Sequence, residues 1–217
     1  MYMLASRENQ AALVSLFRTG TRLTYKKGEF VIHPGEAPPG VFYIESGLVK
    51  AYDITKYGEE NLLILRKDGE VLALTWAITG EDRHIIYQAL APTITRQISR
   101  DVFREYMHTH PDAALSLVDL VTDMYRLHSK RILNLEYRSV RERLISFLLS
   151  TAERFGKKSV DDILIDVPLK HQDIASSINA SRETTGRAIT QLQQKGLITN
   201  RQSRFIIHDI EKLRSYL

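Results

Sequence analysis

Gln172–Ile198 reads QDIASSINASRETTGRAITQLQQKGLI, two helical segments joined by the break NASR at 179–182. Ser181 is a good N-cap, so Arg182, Glu183 and Thr184 fall in the first turn of the second segment. Two helices with a tight turn between them are followed by ITNRQSRFIIHDI, an apparent hairpin with a polar tip. That succession is a winged helix-turn-helix, whose second helix enters the major groove by its N-terminal end.

Glu183 and Arg187 are four residues apart and share a helix face. As a surface ion pair they contribute ~0.2–0.5 kcal/mol. That account leaves Arg182 and the flanking hydroxyls unexplained. Base readout covers all of them. Arg donates twice to guanine N7 and O6, and Glu accepts from the cytosine amino group. Ser181 and Thr184 suit phosphate oxygens, which position a helix without reading sequence. Gly186 costs the helix about 1 kcal/mol relative to Ala, and close approach to a partner is a reason to keep it.

The charge distribution agrees. Residues 139–217 carry 13 Lys/Arg against 9 Asp/Glu, and residues 1–138 carry 17 of each, so the whole excess of +4 lies in the C-terminal third. At 217 residues, 43% hydrophobic and 26% charged, the chain has material for two globular domains. No run approaches the ~18 apolar residues of a membrane span. The N-terminus, with Arg7 and Glu8, reads as a short amphipathic helix rather than a signal peptide. With no cysteine, disulfides and Cys-ligated iron–sulfur clusters are excluded, and the cytoplasm is the expected compartment. No metal ligand set emerges from the histidine spacing. Gly-rich phosphate loops, HExxH and GxSxG are absent, which argues against an enzyme.

Upstream, from about Arg22 to Arg100, short β-branched and aromatic segments (FVIH, GVFYIESGLVKAYDI, ENLLILRK, HIIYQAL) alternate with turns such as KKGE, HPGEAPPG and KDGE. This predicts a sandwich or barrel. LALTWAITGED reads as an intervening loop, its Trp76 as core or as pocket wall. RDVFREYMHTH predicts a short helix ended by Pro111, and Asp112 to about Leu135 a long one of ~36 Å. Leu117, Leu120, Val121, Met124, Leu127, Arg131 and Leu135 fall near heptad spacing, so this helix is expected to pack on a copy of itself. Val118, Ile132 and Leu133 broaden the stripe. SVRERLISFLLSTAERFG predicts a further helix stopped at Gly156, and ILIDVPL a short strand.

The recognition segment resembles that of the CRP/FNR superfamily of bacterial transcription regulators, most of all the cyclic-AMP receptor branch, whose recognition helix opens S-R-E-T-x-G-R. The Gly-punctuated strands with FYIESGLVK and KDGE, the HPD start of the long helix and NLEYRSVRERL extend the resemblance over nearly the whole chain. It implies an α+β chain: an N-terminal β-roll (a cyclic-nucleotide-binding-like jelly roll) over 1–110, a dimerisation helix over 111–138, and a winged helix-turn-helix over 139–217. By the same likeness Arg182, Glu183 and Arg187 read bases of double-stranded DNA, and Gln172, Ser181 and Thr184 touch phosphates. The implied partners are a second copy, RNA polymerase and a small-molecule effector. The effector residues implied are Gly69, Glu70, Arg83, His84, His128 and Ser129. His84 stands where a small hydroxyl residue is expected and Ile85 fills ligand space, which argues against a cyclic nucleotide. A cyclic-AMP-responsive regulator and an effector-independent one are the alternatives.

Overall fold

The computed structural model describes residues 7–81, 84–159 and 162–217. Two compact units emerge, one of residues through Asp53 with Leu63–His128, the other of Ile54–Leu62 with Ser129–Leu217.

In the first unit, α1 (Arg7–Arg18) buries Leu13, Leu16 and Phe17, the i, i+3, i+4 face of an amphipathic helix. The strands are β1 (Thr21–Tyr25), β2 (Phe30–Ile32), β3 (Val41–Ser46), β4 (Leu48–Ile54), β5 (Glu60–Lys67), β6 (Val71–Leu72), β7 (Ile86–Ala89) and β8 (Thr93–Ile98). They form two four-stranded sheets, ordered β1-β8-β3-β6 and β2-β7-β4-β5, as the alternating text predicts. The β3–β4 turn depends on Gly47: at φ 114 it is left-handed, and a Cβ there would meet the Thr93 hydroxyl at 2.5 Å. The Leu48 N–H donates to the Thr93 hydroxyl at 3.3 Å, fastening that turn to the start of β8.

The segment read as a loop contains a helix, α2 (Leu74–Thr79), stopped by Gly80 at φ 80. Six residues are too few for helical periodicity to show. Trp76 packs against both core clusters of the unit. Its carbonyl accepts from Arg100 Nε at 3.1 Å, at the start of α3 (Arg100–Thr109).

The long helix, α4, runs Pro111–Tyr137. Pro111 begins it, since a first-turn proline lacks only an N–H that had no partner. The apolar stripe requires correction. Leu117 and Leu120 are 8% and 9% exposed, packed with Phe17 and Phe103 in the first unit's core. Leu127 packs against the other cluster, and Met124 Sδ accepts from Arg66 Nη2 at 3.3 Å. This heptad row faces the chain's own sheets. The row turned one residue further carries the exposed apolar side chains Val118 (59%), Val121 (42%), Tyr125 (71%) and Ile132 (62%), with Leu115 and Leu133 beside it. Consecutive helical positions differ by about 100°, so the single stripe read from sequence is two.

In the second unit, α5 (Val140–Phe155) opens with a capping box. The Ser139 N–H and hydroxyl donate to Glu142 at 2.8 and 2.6 Å, and the Glu142 N–H to the Ser139 hydroxyl. Its buried Leu144, Ile145, Leu148 and Leu149 underlie α6 (His171–Ser177) and α7 (Arg182–Gln194). The strand predicted at ILIDVPL is β10 (Ile163–Ile165) and the hairpin is β11 (Ile198–Arg201) with β12 (Arg204–Ile207). The expected two-stranded hairpin is there, and among the described residues β10 and β9 (Gly156–Lys158) extend it into one sheet ordered β11-β12-β10-β9. A short helix, α8 (Ile210–Arg214), follows, its Leu213 fully buried.

Candidate nucleic-acid interface

The break between α6 and α7 turns on Asn179, left-handed at φ 49, a conformation Asn tolerates better than most residues. The Ala180 N–H donates to the Ala175 carbonyl at 3.0 Å, which tightens the turn. Ser181 then caps α7, accepting from the Thr184 N–H at 3.1 Å and donating to the Thr184 hydroxyl at 3.0 Å.

Thr185, Ala188, Ile189 and Leu192 form the buried face of α7. The other face is fixed by that choice: Ser181, Arg182, Glu183, Arg187 and Thr190 are exposed. Gln172 on α6 is exposed as well. The i,i+4 ion pair is not formed: among the described residues no ion pair joins Glu183 to Arg182 or Arg187, and Arg187 Nη2 reaches only the Thr184 hydroxyl, at 3.5 Å. The Glu183 carboxyl is held below the usual carboxylate range, first by its own backbone N–H, then by the Ser181 hydroxyl, with the Arg182 and Arg187 charges adding less. It is therefore an ionised acceptor at the N-terminal end of a helix, beside two cations free to turn outward. A Cβ on Gly186 would meet nothing within 4 Å, so packing inside the chain does not require glycine there.

The residues singled out for an effector are distributed differently. Gly69 makes the turn into β6 with φ 83. Glu70 is 5% exposed and receives Arg66 Nη1 at 3.1 Å, a buried pair. The sequence hides this. In RKDGE the two charges flank a turn and read as solvent-exposed. Lys50 is a second buried cation outside the sequence reading, its ammonium 4.2 Å from the Tyr52 ring centroid. His84 is exposed with a left-handed φ of 53, and His128 and Ser129 are each half-buried on α4. Arg83 lies outside the described residues. Among the described residues no group of three His, Asp or Glu is placed to hold a metal ion, and no helix is long and apolar enough to cross a membrane.

A paired-sheet roll, a long helix and a winged helix-turn-helix with exposed Arg and Glu at the tip of its second helix define a two-part transcription regulator. Two family models match: a cyclic nucleotide-binding domain over residues 22–110 and a Crp-like helix-turn-helix domain over 142–216. The global nitrogen regulator of Synechococcus elongatus is 30% identical over 190 residues, covering 84% of this chain and 83% of that protein. The transcriptional activator protein anr of Pseudomonas aeruginosa is 27% identical over 192 residues, covering 88% and 78%. Among solved structures, a CooA mutant from Carboxydothermus hydrogenoformans superposes with a TM-score of 0.78 at 20% identity, covering 98% of this chain and 97% of that one. FixK2 from Bradyrhizobium japonicum gives 0.77 at 20%, covering 91% and 96%. The chain belongs to the CRP/FNR family of transcription regulators, with a DNA-binding helix-turn-helix and an effector-binding domain.

Proposed function

We propose that the protein binds inverted-repeat operator DNA as a homodimer in the cytoplasm, acts on transcription together with RNA polymerase and catalyses no reaction. The observation that carries the DNA-reading part is the exposed Arg182–Glu183–Arg187 set on one face of α7, around a glycine that internal packing does not require. The working division is a sensor over 1–110, a dimerisation helix over 111–138 and a DNA-binding domain over 139–217. The spans of the two family models support it. The exposed row Val118, Val121, Tyr125 and Ile132 supports self-association through α4. A two-fold dimer sets its α7 helices in successive major grooves, so half-sites lie about one helical turn apart. Resemblance to the receptor branch points to a half-site core like GTGA.

In the first unit we propose a small-molecule effector other than a cyclic nucleotide. Arg66 occupies the Glu70 carboxylate, and His84 and Ile85 replace the small residues a cyclic phosphate needs.

Selection from random DNA with wild type and Arg187→Ala tests the reading. Wild type is expected to return an inverted repeat, and Arg187→Ala the same repeat with one G·C pair relaxed, since a good bidentate contact carries about 1–3 kcal/mol of discrimination. Identical motifs from both proteins would remove Arg187 from the readout.

A further inference from the structure

Arg66 stands near the end of β5 with 7% of its surface exposed, so its guanidinium has to find its partners inside the first unit. Two of its nitrogens do. Nη1 donates to Glu70 at 3.1 Å, and Nη2 donates to the Met124 sulfur of α4 at 3.3 Å. The third, Nε, is buried and has no hydrogen-bond partner among the described residues. A buried donor left unpaired is costly and calls for an explanation.

In a planar guanidinium, Nε–H and one N–H of Nη2 lie side by side along one edge, the edge that holds an oxyanion by two parallel bonds. Here that edge meets a thioether, a weak acceptor that engages only Nη2. An oxygen added to the Met124 sulfur would serve both donors. The three rotatable bonds of the side chain let it turn to that edge. Met124 is half-buried, so a small oxidant reaches it. The chain has no cysteine and four methionines (Met1, Met3, Met107 and Met124), so thioethers are all the sulfur it offers an oxidant. Met107 is the internal contrast. It too is half-buried, but it packs against the apolar cluster of Leu13, Phe17 and Phe103, where a polar oxygen disrupts the packing.

We propose that Met124 is an oxidant-responsive site: hydrogen peroxide converts it to the sulfoxide, and Arg66 receives the new oxygen through Nε and Nη2, tightening the hold of β5 on α4. The sulfur lone pair forms the bond to one peroxide oxygen and the O–O bond breaks. The proton of the transferred oxygen passes to the departing hydroxide, which leaves as water. Sulfur gives up two electrons and the peroxide takes them. Methionine sulfoxide reductases reverse the change, so the site can be reset. The site stands whether or not α7 reads DNA.

The full chain is prepared as Met107→Leu, which leaves Met124 the one methionine beyond the first three residues, and as Met124→Leu. Both variants share Met1 and Met3. Each is treated with hydrogen peroxide, the oxidised position is located by peptide mass spectrometry, and thermal unfolding is followed by circular dichroism. Met107→Leu is expected to take one oxygen at Met124 and to melt about 2–4 °C higher. Treatment with a sulfoxide reductase should return the midpoint to its starting value. Met124→Leu, oxidised at Met107, should melt lower. Adding Arg66→Lys to Met107→Leu keeps a cation for Glu70 but removes the two-nitrogen edge, so oxidation should no longer raise the midpoint. Met124 left unoxidised at a peroxide dose that converts Met107 would overturn the proposal. So would a midpoint that is unchanged or lowered once Met124 carries its oxygen. A rise that persists in the Arg66→Lys variant would sink it as well, by removing Arg66 from the site. If Arg66→Lys does not fold, the first two variants decide the matter between them.

Discussion

Gly186 sits inside α7 with open space where its side chain would be. Glycine at a helix-interior position costs about 1 kcal/mol relative to alanine. Gly186→Ala is therefore expected to stabilise the second unit by about that amount in urea unfolding. The added methyl would stand on the proposed DNA-facing side, so operator affinity should fall at the same time. A variant more stable and equally good at binding would take Gly186 out of the interface. Glu183 and Arg187 carry the same lesson about what sequence reveals. Their spacing put them on one face, and the flanking Arg182 and hydroxyls, which an ion pair leaves unexplained, favoured a reading pair. The cap decides the local geometry: Thr184 sits between Ser181 and Arg187 and receives both. Glu70 was less legible, because its partner Arg66 is brought to it by the turn at Gly69 and the pair is then buried by the fold.

At the scale of elements, α4 separates two functions by one residue of rotation. The row Leu117, Leu120, Met124 and Leu127 serves the chain's own sheets, and the row Val118, Val121, Tyr125 and Ile132 is left apolar and exposed. Val118→Asp with Tyr125→Asp is expected to give folded monomers with lowered operator affinity. Analytical ultracentrifugation with circular dichroism checks both properties at once. Leu117→Ala should instead destabilise the first unit by about 2–5 kcal/mol, as truncating a buried leucine does, and leave association intact in whatever fraction stays folded. The existence and length of α4 were readable because 27 residues give periodicity many turns to appear. Which row faced inward was not, since both rows are apolar and only the packing of the sheets distinguishes them. Short elements failed for the opposite reason. α2 has six residues, α8 five, and β9 is the three-residue Gly-Lys-Lys, without any apolar alternation.

For the whole molecule, acid sensitivity is set within each unit by carboxylates paired with that unit's own cations. Glu45 is held below the usual range first by its hydrogen bond from Arg96, with Arg22 a lesser cause, in the first unit. Asp166 is lowered first by its bond from Lys157 and then by Arg204, in the second. A carboxyl with a folded pKa below its unfolded one binds fewer protons when folded. Its stabilisation is thus present above the unfolded pKa and is lost as pH falls through the folded one. Both units should weaken as pH drops below about 4, the unperturbed carboxylate range. Asp166→Asn is expected to lower stability at neutral pH and to flatten the acid limb of the second unit alone, read from unfolding midpoints at a series of pH values. An unchanged acid limb would show that Asp166 contributes nothing to it.

The buried Arg66–Glu70 pair also constrains how this sequence can drift. Removing the Glu70 carboxylate alone strands the Arg66 charge away from water, at a cost of about 3–5 kcal/mol, whereas exchanging a buried pair for well-fitted apolar residues is often neutral or better. Glu70→Leu should be severely destabilising alone and markedly less so when combined with Arg66→Met, a coupling that a double-mutant cycle measures directly. If the two effects simply add, the pair is not a unit. If they couple as expected, descendants of this chain reach a different interior at that position only by crossing a valley of poorly folded intermediates. An ion pair adopted once then persists as an inheritance, whether or not any ligand has use for it.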